Sequence, residues 1–310
     1  MIILSGPTAV GKTELSIRLA KEANAEIISA DSAQVYRGMD IGSAKITKDE
    51  MQGVPHHLID ILDPTEEFHV ALFQKLAVEA VEDIYSRGKI PLIVGGTGFY
   101  IQALLRDIDF TEKEDDPAYQ AMLWKKAETE GAYSLHEMLL ECDPESAASI
   151  PAENIKRTIR ALEYFHLTGE KFSVHNDRER QKPNAYNAAY FVLNDDRDVV
   201  YDRIGRRVDI MIQAGLVEEV KALLAQGVSP SCNSMQALGY RQICDHLAGK
   251  CTLEEAVDRI KQETRHFAKR QLTWFRREKD VIWVDRKEFD ESTERMLTYM
   301  TGLLRGKGIL

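Results

Sequence analysis

The sequence predicts an α/β protein: a parallel sheet flanked by helices, interrupted by an all-helical subdomain and followed by a helical C-terminal region. Three observations carry this. Short apolar runs alternate with helix-period segments over the first third of the chain. A glycine-rich turn separates the first such run from the first helix. From about 111 to 183 helical signals continue while strand signals stop.

Met1 to Leu4 is an apolar run of the kind expected for a strand buried on both faces. Thr13 to Ala23 follows, with Leu15, Ile17, Leu19 and Ala20 as an apolar stripe at helical spacing. Glu26 to Ala30 is a second buried strand, ending at Asp31. Residues 69–87 form a long amphipathic helix stopped by Gly88, and Ile90 to Val94 is a strand running into Gly95-Gly96-Thr97-Gly98. Such alternation implies parallel neighbours joined by right-handed crossovers. In the insert, Ser134 with Glu137 reads as a capping box, and Asn154 caps a helix ending at Gly169. Ala188 to Leu193 returns the chain to the sheet. Leu216 to Ala225 and Leu253 to Glu278 are the clearest helices of the tail, and Val281 to Val284 is a last strand. The expected limits are 1–110 with 184–310 for the α/β core and 111–183 for the insert.

At 310 residues, 44% hydrophobic and 29% charged, the chain has the profile of a soluble globular protein of roughly two domains. No apolar run approaches the ~18 residues of a membrane helix. Met1 to Leu4 has no basic stretch before it, so it does not read as a secretory signal, and a cytoplasmic location is expected. Cys142, Cys232, Cys244 and Cys251 form no C-x-x-C pair and read as reduced thiols. The adjacent His56 and His57 read as structural.

Gly6-Pro7-Thr8-Ala9-Val10-Gly11-Lys12-Thr13 matches G-x-x-x-x-G-K-[ST], with a strand before it and a helix after it. Glycines let backbone N–H groups wrap an anion, and the helix amino terminus adds partial positive charge. Lys12 adds a full charge, and the Thr13 hydroxyl can ligate Mg²⁺. The core is therefore expected to be P-loop NTPase-like. The motif specifies phosphate or diphosphate without specifying ATP. Asp31 ends the second strand, where ligands of open parallel sheets bind. A carboxylate there can bind Mg²⁺, act as a general base or cap a turn. Gly95-Gly96-Thr97 ends another strand and should reach the same crevice.

The net charge of −10, taken alone, argues against a nucleic-acid partner. Its distribution says otherwise. Between residues 259 and 279 eight basic residues (Arg259, Lys261, Arg265, Lys269, Arg270, Arg276, Arg277, Lys279) face two acids, Glu263 and Glu278. Arg265, Lys269 and Arg276 fall near one helical stripe, Phe267, Leu272 and Phe275 can pack inward, and Trp274 can stack on a base or on the core. Lys156, Arg157 and Arg160 form a second basic group in the insert.

Taken together, the phosphate loop, the segment Asp31 to Gly42, Gly95 to Tyr100, Arg157 to Glu163, Gly215 to Val220 and Thr264 to Arg276 resemble the tRNA dimethylallyltransferases (tRNA isopentenyl transferases), in family order across nearly the whole chain. The Asp31 and Lys269–Arg276 segments are the most specific. The resemblance implies transfer of a dimethylallyl group from dimethylallyl diphosphate to N6 of the adenosine 3′ to the tRNA anticodon. It implies that Gly6 to Thr13 hold the diphosphate with Mg²⁺, that Asp31 is the general base, that Thr97 contacts the reacting centre and that Arg207 grips the diphosphate. By the same resemblance Asp31, Ser32, Ala33, Gln34, Lys156, Arg157, Arg160, Arg265, Lys269, Arg270, Gln271, Trp274 and Arg276 fall in regions that contact the tRNA anticodon stem-loop. No obligate protein partner is evident. Ser43, Ile46 and His266 depart from the usual Thr, Pro and Gln, and little change is expected where Ser keeps the hydroxyl. Competing readings are a P-loop small-molecule or nucleoside kinase, for which Arg203, Arg206 and Arg207 would suit a lid, an isopentenyl transferase on free adenine nucleotides, and a non-catalytic RNA-binding ATPase.

Overall fold

The computed structural model describes residues 1–110 and 116–310, and the expected start of the insert at Thr111 lies outside them. From the amino terminus the elements are β1 (Ile2–Ser5), α1 (Lys12–Glu22), β2 (Ala25–Ser29), the short α2 (Lys48–Met51), β3 (His56–His57), α3 (Val70–Ser86), β4 (Ile90–Gly95) and α4 (Gly98–Arg106). Helices α5 (Pro117–Glu130), α6 (Ala132–Cys142), α7 (Pro144–Ser149), α8 (Ile155–Thr168) and α9 (Phe172–Gln181) follow. The chain closes with β5 (Ala189–Asn194), α10 (Arg197–Gln213), α11 (Leu216–Ala225), α12 (Tyr240–Leu247), α13 (Leu253–Phe275), β6 (Val281–Asp285) and α14 (Thr293–Gly306). It divides into two compact units, Met1–Leu105 with Ala185–Leu310, and Arg106–Asn184.

In the first unit six strands form one sheet in the order β3-β2-β4-β1-β5-β6, every pairing parallel. All four residues of β1 are buried, because helices cover both faces of the sheet. The period of two along each strand divides the core. Ile3, Ile28, Ile93 and Val192 pack on one face with residues of α3, α11 and α12. Ile2, Leu4, Ile27, Leu92 and Phe191 pack on the other with residues of α1 and α14. Each such side chain contributes about 1.5–3 kcal/mol relative to exposure. The strand order has a consequence for function: β1 and β2 flank β4, so the turns leaving their carboxyl ends are neighbours. Register fixes this, with Ser5 opposite Gly95 and Ser29 opposite Val94.

The second unit has its own core, built from Leu123, Leu135, Leu139, Ile150, Ile159 and Leu162 among others. Asn154 caps α8, its side chain accepting from the Arg157 N–H, and Gly169 ends the helix in the left-handed region. The expected capping box at Ser134 and Glu137 is corrected. Helix α6 begins at Ala132 behind Gly131 (φ 87°), and Ser134 lies within its first turn, its Oγ donating to the Gly131 carbonyl. Helix α5 runs to Glu130, so the turn is made at Gly131 and leaves no linker for a later start. Helix α13 ends at Phe275, short of the expected Glu278, because the chain must turn at Arg276 to enter β6.

Candidate active site

The phosphate loop wraps because it has no side chains where the backbone must pass. A Cβ on Gly6 would overlap the Leu193 carbonyl of neighbouring β5. Gly11, at φ 96°, enters α1 without a side-chain cap, so the first N–H groups of that helix stay available to an anion. Within the loop the Lys12 ammonium donates to the carbonyls of Gly6 (2.9 Å) and Pro7 (2.8 Å). The Thr13 hydroxyl has no hydrogen-bond partner among the described residues, while the Thr13 carbonyl accepts from Ser16.

Asp31 and Thr97 stand at the ends of β2 and β4. The Asp31 Oδ1 accepts from the N–H groups of Ala33 (2.9 Å) and Gln34 (3.4 Å), which makes the carboxylate a turn cap. Both bonds fall on Oδ1, and Oδ2 has no partner among the described residues. The cap and the open oxygen coexist, so the structural reading of this aspartate does not displace the chemical one. Thr97 is tied by its backbone, its N–H reaching the Ala30 carbonyl (3.4 Å) and its carbonyl accepting from Tyr100 (3.0 Å). Its hydroxyl is left open. The chain therefore brings an open carboxylate oxygen and an open hydroxyl to adjacent strand ends.

Lys12, Arg207 and Asp31 sense one another electrostatically. Burial pushes the Lys12 ammonium down to about 7; Arg207 pushes it further and Asp31 opposes both. Burial likewise lowers Arg207, with Asp31 and then Glu50 opposing. Of the four arginines of α10, Arg197 pairs with Asp198 (3.4 Å), Arg203 with Asp195 (2.7 Å) and Glu291 (3.1 Å), and Arg206 with Asp202 (2.7 Å). Arg207 makes no ion pair within the described residues, so it is the one placed to meet a ligand. This removes two of the three cations that a kinase-type lid would use.

The segment after Asp31 is held chiefly by Glu219, Tyr240 and Lys45, to which the sequence attached no role. The Glu219 carboxylate accepts from three consecutive N–H groups, Asp40 (3.0 Å), Ile41 (2.8 Å) and Gly42 (3.1 Å), and from the Tyr240 hydroxyl (2.7 Å). Lys45, whose side chain is 4% exposed, donates to the Tyr36 carbonyl and Asp40 (2.6 Å each) and to Asp60. Gln34 reaches the carbonyls of Ser43 and Ala44. Ser43 Oγ donates to the Met39 carbonyl (2.6 Å), the hydroxyl function that Ser keeps. Ser32 and Ala33 ride exposed and half-buried on this braced turn.

The basic run of α13 divides in two. Arg259 pairs with Asp245 (3.3 Å) and Lys261 with Asp209 (2.6 Å). Arg265 is half-buried with its guanidinium over the Tyr201 ring (5.8 Å), so it packs on α10 and does not share an outward stripe with Lys269. Lys269, Arg270, Arg276 and Arg277 are exposed and make no ion pair among the described residues, Arg270 lying over the Phe267 ring of its own helix (5.8 Å) and Arg276 being the cap residue just past the helix. Gln271, expected in an RNA-contacting region, is turned inward in the structure. It is 7% exposed; its Oε1 accepts from the Thr8 N–H (2.9 Å) and its Nε2 donates to the Gly96 carbonyl (2.9 Å). Trp274 packs inward too: a Cβ on Gly98 would overlap its indole, and Phe99 meets it edge-on at 6.0 Å. In the second unit Lys156, Arg157 and Arg160 are all exposed on α8.

His56, His57 and His246 are held by bonds within the fold. His57 Nε2 meets the buried Glu26 (2.8 Å), which Arg87 above all, with Lys89 and His57, holds well below the usual carboxylate range. His56 meets the Val54 carbonyl, and His246 the Cys251 carbonyl. All four cysteines are free thiols, and no group of three or more His, Cys, Asp or Glu is arranged to hold a metal among the described residues.

A phosphate loop facing an open carboxylate and an uncommitted arginine across the carboxyl ends of a parallel sheet defines a P-loop-type group-transfer enzyme. Comparison with known proteins narrows the class. The IPP transferase family profile matches residues 34–278, and the isopentenyl transferase profile matches residues 1–65. The tRNA dimethylallyltransferase of Lachnoclostridium phytofermentans is 57% identical over 100% of this chain and 99% of its own. That of Bacillus subtilis is 49% identical over 98% of this chain and 97% of its own. Among solved structures, the tRNA isopentenylpyrophosphate transferase of Bacillus halodurans superposes with TM-score 0.74 at 45% identity, covering 99% of this chain and 97% of its own. A eukaryotic dimethylallyltransferase acting on tRNA superposes with TM-score 0.78 at 29% identity, covering 92% and 73%. The chain belongs to the tRNA dimethylallyltransferase family. No helix among the described residues is long and apolar enough to cross a membrane.

Proposed function

We propose that the chain transfers a dimethylallyl group from dimethylallyl diphosphate to N6 of the adenosine on the 3′ side of the tRNA anticodon (position 37), giving N6-isopentenyladenosine and diphosphate. The observation that carries the reading is the trio Lys12, Arg207 and Asp31, two cations and a carboxylate within electrostatic reach of one another beside the phosphate loop. The exocyclic adenine amine is a weak nucleophile. As its bond to the allylic C1 forms, the N6 proton passes to Asp31 Oδ2, which lowers the barrier. The C1–O bond breaks and its electron pair leaves with the diphosphate. Loop N–H groups, Lys12 and Arg207 stabilise that developing charge, and the Thr97 hydroxyl orients the reacting groups.

Thr13, exposed at the amino terminus of α1, would hold a Mg²⁺ ion through its hydroxyl. When bound, the ion would neutralise charge on the leaving group. Lys269, Arg270, Arg276 and the Asp31–Gln34 turn in the first unit, and Lys156, Arg157 and Arg160 in the second, would contact the anticodon stem-loop. Such contacts offset the cost, on the order of a few kcal/mol, of taking the adenosine out of its stack. The cytoplasm is the proposed location.

The unpaired cations of α13 favour a polyanionic acceptor over free adenine nucleotide, and the commitment of Arg203 and Arg206 disfavours the kinase. The test supplies labelled dimethylallyl diphosphate with Mg²⁺ and either unmodified tRNA or AMP, alongside an ATP hydrolysis assay. Label in tRNA alone is expected. Label in AMP alone, or ATP turnover without tRNA labelling, overturns the reading.

A further inference from the structure

The carboxyl half of α13 has two faces. Outside, Lys269, Arg270, Thr273 and Arg277 with His266 line an open groove of about 510 Å³, to which the half-buried Trp274 adds an edge. Inside, Gln271 uses both ends of its amide, accepting from Thr8 of the phosphate loop and donating to Gly96 of the turn that presents Thr97. A Cβ at Gly96 would overlap that amide, so bare backbone is what lets it seat. One helical turn on, Trp274 lies against Gly98. Thr97 is thus bracketed by two backbone positions that α13 holds, and the diphosphate loop is tied to the same side chain.

We propose that Gln271 is a positioning residue that couples acceptor RNA on the outer face of α13 to the diphosphate loop and to Thr97. The helix is hydrogen-bonded along its length, so ordering or displacement of Lys269 and Arg270 by RNA is shared by Gln271, the next residue in the same turn. Two hydrogen bonds pass it to the two loops that must meet the donor. Coupling of this kind is reciprocal: RNA alters diphosphate affinity by the factor by which diphosphate alters RNA affinity. The inference rests on the reading of α13 as the RNA-binding helix.

The test measures binding of pyrophosphate with Mg²⁺ by calorimetry, with and without a saturating unmodified anticodon stem-loop, in wild type, Gln271→Met and Gln271→Glu. In wild type the RNA should change pyrophosphate affinity about fivefold or more. In Gln271→Met the ratio should fall to near one while affinity for RNA alone is unchanged, and in steady state kcat should fall with KM for tRNA unaltered. Gln271→Glu keeps the acceptor for Thr8 and loses the donor to Gly96, so it should retain part of the ratio; it also supplies the measurement if the methionine variant melts early. A ratio near one in wild type, or the wild-type ratio in both variants, overturns the inference. Label transfer by the same wild-type preparation separates the two levels. Absence of transfer to tRNA removes the functional reading itself, whereas transfer with an unchanged ratio removes only the role of Gln271.

Discussion

Lys12 shares its pocket with Arg207, and the two cations make each other's charge more costly. Burial is the larger cause and Arg207 the second; together they bring Lys12 down to about 7 against the pull of Asp31. With the pocket empty, Lys12 is mostly protonated below that pH and mostly neutral above it. A bound diphosphate favours the charged form and raises the value. Binding at pH 8 should therefore take up a proton, and affinity should fall as pH rises through about 7. Calorimetry of pyrophosphate binding in two buffers of different ionisation enthalpy measures this directly. Lys12→Met should abolish the uptake; equal heats in both buffers with wild type would count against the pocket's electrostatics.

The clamp of Glu219 on three N–H groups gives a second expectation. Glu219→Ala strands the Asp40, Ile41 and Gly42 donors and the Tyr240 hydroxyl. Hydrogen bonds to charged groups contribute about 1.5–3 kcal/mol each, so a loss of at least about 2 kcal/mol in denaturant unfolding is expected. Tyr240→Phe removes one of the four and should cost about 1 kcal/mol. Because the clamped segment begins at the Asp31 turn, kcat/KM should fall in Glu219→Ala by more than in Tyr240→Phe. Equal effects from the two changes would show that the N–H clamp is unimportant.

The division of the basic helix yields a contrast between neighbours. Lys269 is exposed and unpaired, whereas Lys261 is held by Asp209 at 2.6 Å. Lys269→Ala should weaken tRNA binding and reduce the slope of log affinity against log salt by about one. Lys261→Ala should leave that slope where it is. A titration of both variants across salt concentrations decides, and a reversed order would move the RNA to the amino half of α13.

Much of the frame of the candidate site was legible locally. A strand, a glycine-rich turn and a helix follow one another in sequence from Met1 to Glu22, so each signal supports the next. Asp31 and Thr97 were legible because they end apolar runs. The capping reading at Ser134 failed because a local motif competes with its neighbours, and α5 had already carried the chain to Gly131. The strand His56–His57 is too short and too polar to show a period. The resemblance put Gln271 in an RNA-contacting region, and an amide flanked by charged residues carries no hydrophobic signal that would place it inside. Its partner Thr8 is 263 positions away in sequence, and no local pattern reports such a bond. Likewise the charge of α13 could be counted from sequence, but its neutralisation by Asp245 and Asp209 on other helices could not.

The central claim is that Asp31 acts on the acceptor amine with the carboxylate oxygen its turn leaves open. Single-turnover transfer by Asp31→Asn tests it most directly, with saturating dimethylallyl diphosphate and tRNA and with tRNA affinity measured in parallel. Asn keeps the Oδ1 cap on Ala33 and Gln34 and removes the base, so the turn should survive. The rate of transfer should drop by about 10²–10⁴-fold with tRNA affinity nearly unchanged. A near-normal rate, or a loss explained wholly by weakened tRNA binding, would contradict the assignment.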